Sequence, residues 1–267
     1  MGRRRVSRVS GERVSTRAGG FNPTWQRHVA AYELCAPLLP EGAVVDLGCG
    51  IGHSFARLAP RRTVGVDLDP AVLRGQERET VVADMRALPF PDASFAGAIA
   101  VQSLEHVPDP GRALAEAARV LSEDGVAVFV TPNHLTFGHE GEVIDPYHHL
   151  EFTEPELRDA AALHFGRVEM LGLFGSPRYL ALVAREREEL ERLLRWDRFG
   201  LRRRLPLSLR RQLYDLTLRR RRAGADPAAE AIESGDFELR PPPLQTALDL
   251  VAVCRQPRRR ESAQRRR

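Results

Sequence analysis

Lysine is absent from this chain of 267 residues: all 40 of its basic side chains are arginine. So uniform a choice reflects an arginine-rich codon pool more than a selected function. The net charge of +4 and the pI near 9.4 are therefore weak grounds for nucleic-acid binding. Much of the excess sits in arginine runs at 3–5, 219–222, 258–260 and 265–267, the composition of solvated ends. Cysteine is scarce. Cys35, Cys49 and Cys254 are odd in number and far apart, which excludes a disulfide framework and a zinc site built on paired cysteines. Long apolar runs are also missing; none approaches the roughly 18 to 20 residues of a membrane span. The basic start lacks the apolar stretch of a secretory signal, so a cytoplasmic location is expected.

With 43% hydrophobic residues, the chain can bury a sizeable core, and its length suits one α/β domain with additions. Residues 44–53, Val-Val-Asp-Leu-Gly-Cys-Gly-Ile-Gly-His, hold the most information. A short apolar run reads as a strand buried on both faces. It closes on Asp46, passes Gly48, Gly50 and Gly52, and enters a segment able to turn helical. Such a turn offers a ligand bare backbone and the positive end of a helix.

Around this turn, strands are expected at 63–66, 80–83, 95–101, 126–130, 167–173 and 248–254. Counting the strand before the glycine turn as the first, Asp67 and Asp84 close the second and third. Helical spacing at 25–39 puts Val29, Tyr32, Ala36 and Leu39 on one side. Asp69-Pro70 and Asp109-Pro110 place a capping acid before a proline in the first turn. Thr153 to Glu156 forms a capping box. Alternating strands and helices with short turns predict an α/β fold: a doubly wound, mostly parallel, seven-stranded, Rossmann-like sheet. Residues 179–184 could form the last strand, but they run on into a charged helix, so 248–254 is preferred. The domain then comprises 21–174 and 244–256. A helical insertion and acidic linker occupy 175–243, with a second helix at 207–218. Basic tails lie at 1–20 and 257–267.

A glycine-rich βα turn serves either a dinucleotide or an adenosine ligand. The dinucleotide pattern G-x-G-x-x-G has its third glycine one position later than Gly52, where this chain has His53. Three strands ending in aspartate around one glycine turn form a more specific pattern, because ligands of open α/β sheets sit at the carboxyl ends of the strands.

These residues resemble the class I S-adenosylmethionine-dependent methyltransferases of type 11. The likeness runs through the stretches at 44–52, 64–70, 83–95, 104–110 and 118–125. It implies S-adenosyl-L-methionine as cofactor. Gly48, Gly50 and Gly52, with Asp46 beside them, would line its methionine and ribose part. Asp67 would take the ribose hydroxyls, Leu68 would lie against the adenine, and Asp84 with the Met85 backbone would hold the adenine edge. Gln102 would lie near the sulfonium. Arg27, His28 and Tyr32 resemble a helix that closes over the cofactor in some members.

Methyl transfer to a hydroxyl also requires loss of its proton, and histidine is the economical base near neutral pH. His106 follows the fourth strand. Tyr147-His148-His149-Leu-Glu151 precedes the Thr153 cap at the same edge, so His106 and His149 are taken as catalytic candidates, with His148 beside them. Glu105-His106 resembles part of the acid-x-x-acid-His cluster that binds a cation in ubiquinone-pathway O-methyltransferases. Gln102 replaces the first acid, so no metal ligand is assigned.

The reading is a methyltransferase acting on an oxygen or nitrogen of a small-molecule or sugar acceptor, with a homodimer kept as an assembly to test. Two others remain beside it. One is an RNA methyltransferase, which the arginine runs suggest, although no base-flipping signature follows the fourth strand. The other is a non-catalytic module whose arginine-rich helix at 207–222 docks on an anionic membrane or partner.

Overall fold

The computed structural model describes residues 22–52, 55–137, 147–195, 208, 209, 212 and 226–258. The tail expected at 1–20, His53, almost all of the helix expected at 207–218 and the arginine runs other than Arg258 lie outside them.

Eight strands form one sheet: β1 (Val44–Leu47), β2 (Thr63–Asp67), β3 (Glu79–Val82), β4 (Phe95–Val101), β5 (Leu121–Pro132), β6 (Phe165–Gly175), β7 (Phe237–Arg240) and β8 (Asp249–Pro257). Their order is β3-β2-β1-β4-β5-β8-β6-β7. β1 to β5 pair in parallel. β8 runs antiparallel between β5 and β6, and β7 is antiparallel to β6.

Seven of the strands are those expected; β7 is additional. It lies where an acidic, proline-rich linker was expected. The part of 223–243 that is described folds onto the domain instead. Phe237 is buried and Leu239 packs against the core beside it, while Glu238 and Arg240 alternate outward. That is the period-two pattern of an edge strand, masked in the sequence by its brevity and by the neighbouring acids and prolines.

The helices are α1 (Asn22–Cys35), α2 (Pro70–Leu73), α3 (Pro110–Val120), α4 (His134–Phe137), α5 (Glu154–Ala162), α6 (Pro177–Arg195) and α7 (Pro227–Glu230). Strand residues alternate between two packed layers, as a doubly wound sheet requires. Val45, Leu47, Ala98, Ala100 and Phe129 pack with Leu114 and Ala117 of α3 and Leu157 of α5. Val44, Ile99, Val101 and Val128 pack on the other side with Ala31 and Tyr32 of α1 and Tyr179 and Leu182 of α6. The four residues expected along the first helical stripe, Val29, Tyr32, Ala36 and Leu39, are all buried.

The caps take the expected form. Asp69 accepts from the Ala71 N–H at 2.8 Å and Asp109 from the Arg112 N–H at 3.1 Å. The Glu156 carboxylate accepts from the Thr153 N–H at 2.8 Å and its hydroxyl at 2.7 Å. Residues 179–184 are helical, and β8 is the strand.

Strand order reverses between β1 and β4, and a crevice opens outside their carboxyl ends. Because β8 runs backwards, its first residue, Asp249, reaches this edge as well.

Candidate active site at the carboxyl edge

A cavity of ≈ 240 Å³ fills the crevice. Gly48, Gly50, Asp67, Leu68, Asp84, Met85 and Gln102 all line it, although they come from four separate stretches of chain. The glycine turn is held against β2: the Gly48 and Cys49 N–H groups donate to the Val66 carbonyl at 2.8 and 3.0 Å. Gly48 has φ +71° and Gly50 φ +53°, a region that side chains other than glycine enter at a cost. A Cβ on Gly50 would project into open space. The turn thus leaves a place beside its backbone that any side chain would intrude upon.

Asp67 is buried, and its carboxylate accepts from the Gly50 N–H and the Asp69 N–H, both at 2.9 Å. Leu68 next to it is 67% exposed, an apolar surface at the cavity wall. Asp84 is gripped by Arg86, whose Nη2 lies 2.7 Å from Oδ2. Hydrogen bonds from Arg86 hold this carboxyl below its usual range.

Two residues expected to touch the cofactor do not line the cavity. Asp46 is buried beneath the turn, where its carboxylate accepts from the Tyr32 hydroxyl and from Arg78 Nη1, each at 2.8 Å. Gly52 faces Gln76, whose Oε1 would come within 2.2 Å of an added Cβ. Asp46 and Gly52 therefore shape the turn from behind. Arg78 went unnoticed in the sequence; it is 4% exposed and lies over the Phe55 ring.

From α1, His28 and Tyr32 face the cavity. Burial pushes His28 down to about 4, so the ring is neutral at pH 7, with Nδ1 2.9 Å from the Thr24 carbonyl. Arg27 reaches Asp249 in a two-point contact of 2.7 and 2.6 Å, and the Asp249 carboxylate also accepts from Gln102 Nε2 at 2.9 Å. Gln102 has φ +46°. This left-handed backbone costs a non-glycine residue about 1–2 kcal/mol, and the Asp249 bond and an N–H bond to Val130 at 2.7 Å hold it in place. Asp249 was read only as part of an apolar strand, yet an acid inside Leu-Asp-Leu-Val-Ala-Val-Cys was the signal that could have found it.

Beyond Gln102 the cavity meets His106. The His106 Nδ1 lies 3.1 Å from the Tyr147 carbonyl, and its ring packs edge-on against His148 with centroids 5.0 Å apart. The His148 Nδ1 is 3.0 Å from Glu151 Oε1. Glu105 is buried beneath them; desolvation drives its carboxyl above the ordinary range, opposed by His106 and His148. His149 is exposed and does not line the cavity, although its N–H donates to the Glu105 carbonyl at 2.8 Å. The expectation for His149 is corrected accordingly. Of the two neighbouring histidines, His148 is the one whose ring packs on His106.

The family model for the methyltransferase domain matches residues 45–129. A probable S-adenosylmethionine-dependent methyltransferase of Mycobacterium tuberculosis is 33% identical over 189 residues, 67% of this chain and 69% of its own length. A second probable methyltransferase of this kind, from Mycolicibacterium smegmatis, is 28% identical over 261 residues, 93% of this chain and 95% of its own. Among solved structures, a methyltransferase of Thermotoga maritima, described as a possible histamine N-methyltransferase, superposes with a TM-score of 0.57. It shares 19% identity and covers 86% of this chain and 90% of its own. That last likeness speaks for the fold alone.

Proposed function

The chain belongs to the S-adenosylmethionine-dependent methyltransferases, and from that premise we propose that it methylates a hydroxyl oxygen of a small polar acceptor such as a sugar. The observation that carries this reading is the polar group at the far end of the cavity. His106 lines the cavity there, and Glu105 and His148 gather against it without lining the cavity themselves. An amine acceptor needs only a site that strips a proton from an ammonium; a hydroxyl needs a stronger aid, and a clustered His–Glu group provides it.

In this reading Asp67 accepts from the two ribose hydroxyls, Leu68 covers one adenine face, and Asp84 with the Met85 backbone meets the adenine edge. The Gly48 and Gly50 backbone lies along the ribose and methionine part. Gln102, fixed by Asp249, borders the reacting end. When bound, the cofactor supplies a methyl group on a positively charged sulfur. The residues around it hold the acceptor oxygen in line with that methyl, and such positioning is the larger part of the acceleration. His28 and Tyr32 of α1 close one side and exclude water.

Two measurements test this. Isotope-labelled S-adenosylmethionine offered with panels of sugars, other alcohols and amines is expected to label a hydroxyl acceptor. Label confined to amines would contradict the reading. Asp67→Ala is expected to weaken cofactor binding about 100-fold in calorimetry, the effect of two hydrogen bonds to a charged group at about 1.5 kcal/mol each. Unchanged affinity would remove Asp67 from the ribose.

A further inference from the structure

We infer that Asp249, acting through Gln102, raises the cavity's affinity for a sulfonium relative to the neutral thioether left after methyl transfer. This inference rests on the reading of the cavity given above. It makes Asp249 a positioning residue that tells loaded cofactor from spent product.

Strand order places the reacting end. Asp84 follows β3, Asp67 closes β2, the glycine turn follows β1 and Gln102 follows β4, and these four strands lie side by side in that order. Neighbouring strands are about 4.8 Å apart, so Asp84 and Gln102 mark the ends of a row about 14 Å long. With adenine at the first position and ribose at the second, the sulfur on the ribose 5′ carbon falls toward the last, against Gln102.

The Gln102 amide could present either its oxygen or its nitrogen to the cavity. Asp249 removes that choice. Its side chain is fully buried, and Arg27 grips both of its oxygens, Nε donating to Oδ2 at 2.7 Å and Nη2 to Oδ1 at 2.6 Å. A carboxylate paired in this way only accepts, so the Gln102 group 2.9 Å from Oδ1 is the NH2. Turning the amide over would set oxygen against oxygen in a buried place. Oε1 is left for the cavity, which Gln102 lines, and among the described residues it has no hydrogen-bond partner.

An amide oxygen carries partial negative charge and attracts a positive sulfur. Away from water such an attraction is stronger than in it. Two basic residues of α1 stand nearby, and neither opposes a cation here. Arg27 is paired with Asp249, and burial keeps His28 neutral at pH 7 by pushing it down to about 4. Methyl transfer to the acceptor oxygen leaves the sulfur neutral, because the electron pair of the broken C–S bond stays on it. Oε1 then faces a thioether and the attraction is gone.

The test is calorimetric titration of the full chain with S-adenosylmethionine and, separately, S-adenosylhomocysteine. The readout is the ratio of the two affinities. Gln102→Met removes the amide at nearly constant volume and should lower the ratio in favour of S-adenosylmethionine about 10-fold. Asp249→Asn frees the amide to turn and should lower it several-fold. S-adenosylhomocysteine affinity should stay within a few-fold in both. Adding Asp249→Asn to Gln102→Met should change the ratio no further, since one acts through the other. If Asp249→Asn does not fold with Arg27 left unpaired, Arg27→Met with Asp249→Leu removes both charges and takes its place. A ratio unchanged in these variants overturns the inference. So does an equal loss for both ligands, which would put the contact on the amino-acid end that they share. A further fall on adding the Asp249 variant to Gln102→Met also overturns it, since Asp249 would then act without Gln102. A wild type that binds neither ligand defeats the cavity reading itself.

Discussion

Gly48 and Gly50 share the same left-handed backbone, but a methyl group added to each would meet different surroundings. On Gly48 it would lie 2.4 Å from Ser103 Cβ, and Ser103 is itself fixed by a hydroxyl bond to the Leu47 carbonyl at 2.9 Å. On Gly50 it meets nothing within 4 Å. The fold leaves no room for a side chain at Gly48, whereas at Gly50 it leaves room and the backbone conformation alone favours glycine. His28 is a third residue with a distinct signature. Its folded-state value near 4 lies below the ordinary value near 6.5. The neutral ring therefore contributes stability that is complete above about pH 6.5 and is lost as pH falls toward 4. The expected outcome is a steeper fall in Tm between pH 7 and pH 5 for cofactor-free wild type than for His28→Gln. Parallel curves in a thermal scan would contradict it.

At the scale of elements, the glycine turn depends on a buried pair beneath it. Arg78, just ahead of β3, reaches Asp46 at the end of β1, and Tyr32 of α1 bonds the same carboxylate. Removing the arginine leaves a buried charge. Arg78→Met is expected to destabilise the fold by about 3–5 kcal/mol, measured by urea unfolding. A loss below 1 kcal/mol would mean the pair matters little. The strands and caps around this turn were legible in the sequence because each is written locally, in an apolar run ending on an acid or an acid before a proline. Asp249 was not, because its place depends on β8 running antiparallel, which sets it beside Gln102, 147 residues away. Nor was Arg78, whose partner lies 32 residues back. The choice between His148 and His149 failed for a simpler reason. Both fit the pattern, and only the course of a short turn-and-bend segment decides between them.

Across the whole molecule, the parallel strands bring the glycine turn and the acids of β2 and β3 to one edge. The reversed last strand adds the Asp249 network to that edge. No helix among the described residues is long and apolar enough to cross a membrane. The arginine runs that suggested RNA lie almost wholly outside the described residues, and a salt-dependent gel shift would separate that reading from the present one. Ligand binding should act on the entire fold. S-adenosylhomocysteine at 100 times its Kd would stabilise the native state by about 2.7 kcal/mol. For a chain of this size that corresponds to a rise of about 5–11 °C in Tm.

The central claim is that the cavity beside Gly50 is kept open for an adenosine bearing a sulfur chain. Calorimetric titration of S-adenosylhomocysteine into wild type and Gly50→Ala tests it most directly. The account predicts one site on the wild type and a loss of at least about 100-fold in the variant. The variant should still unfold cooperatively, with only about 1–2 kcal/mol of backbone strain against it. Equal affinity in the two proteins, or no binding to the wild type, would contradict the account.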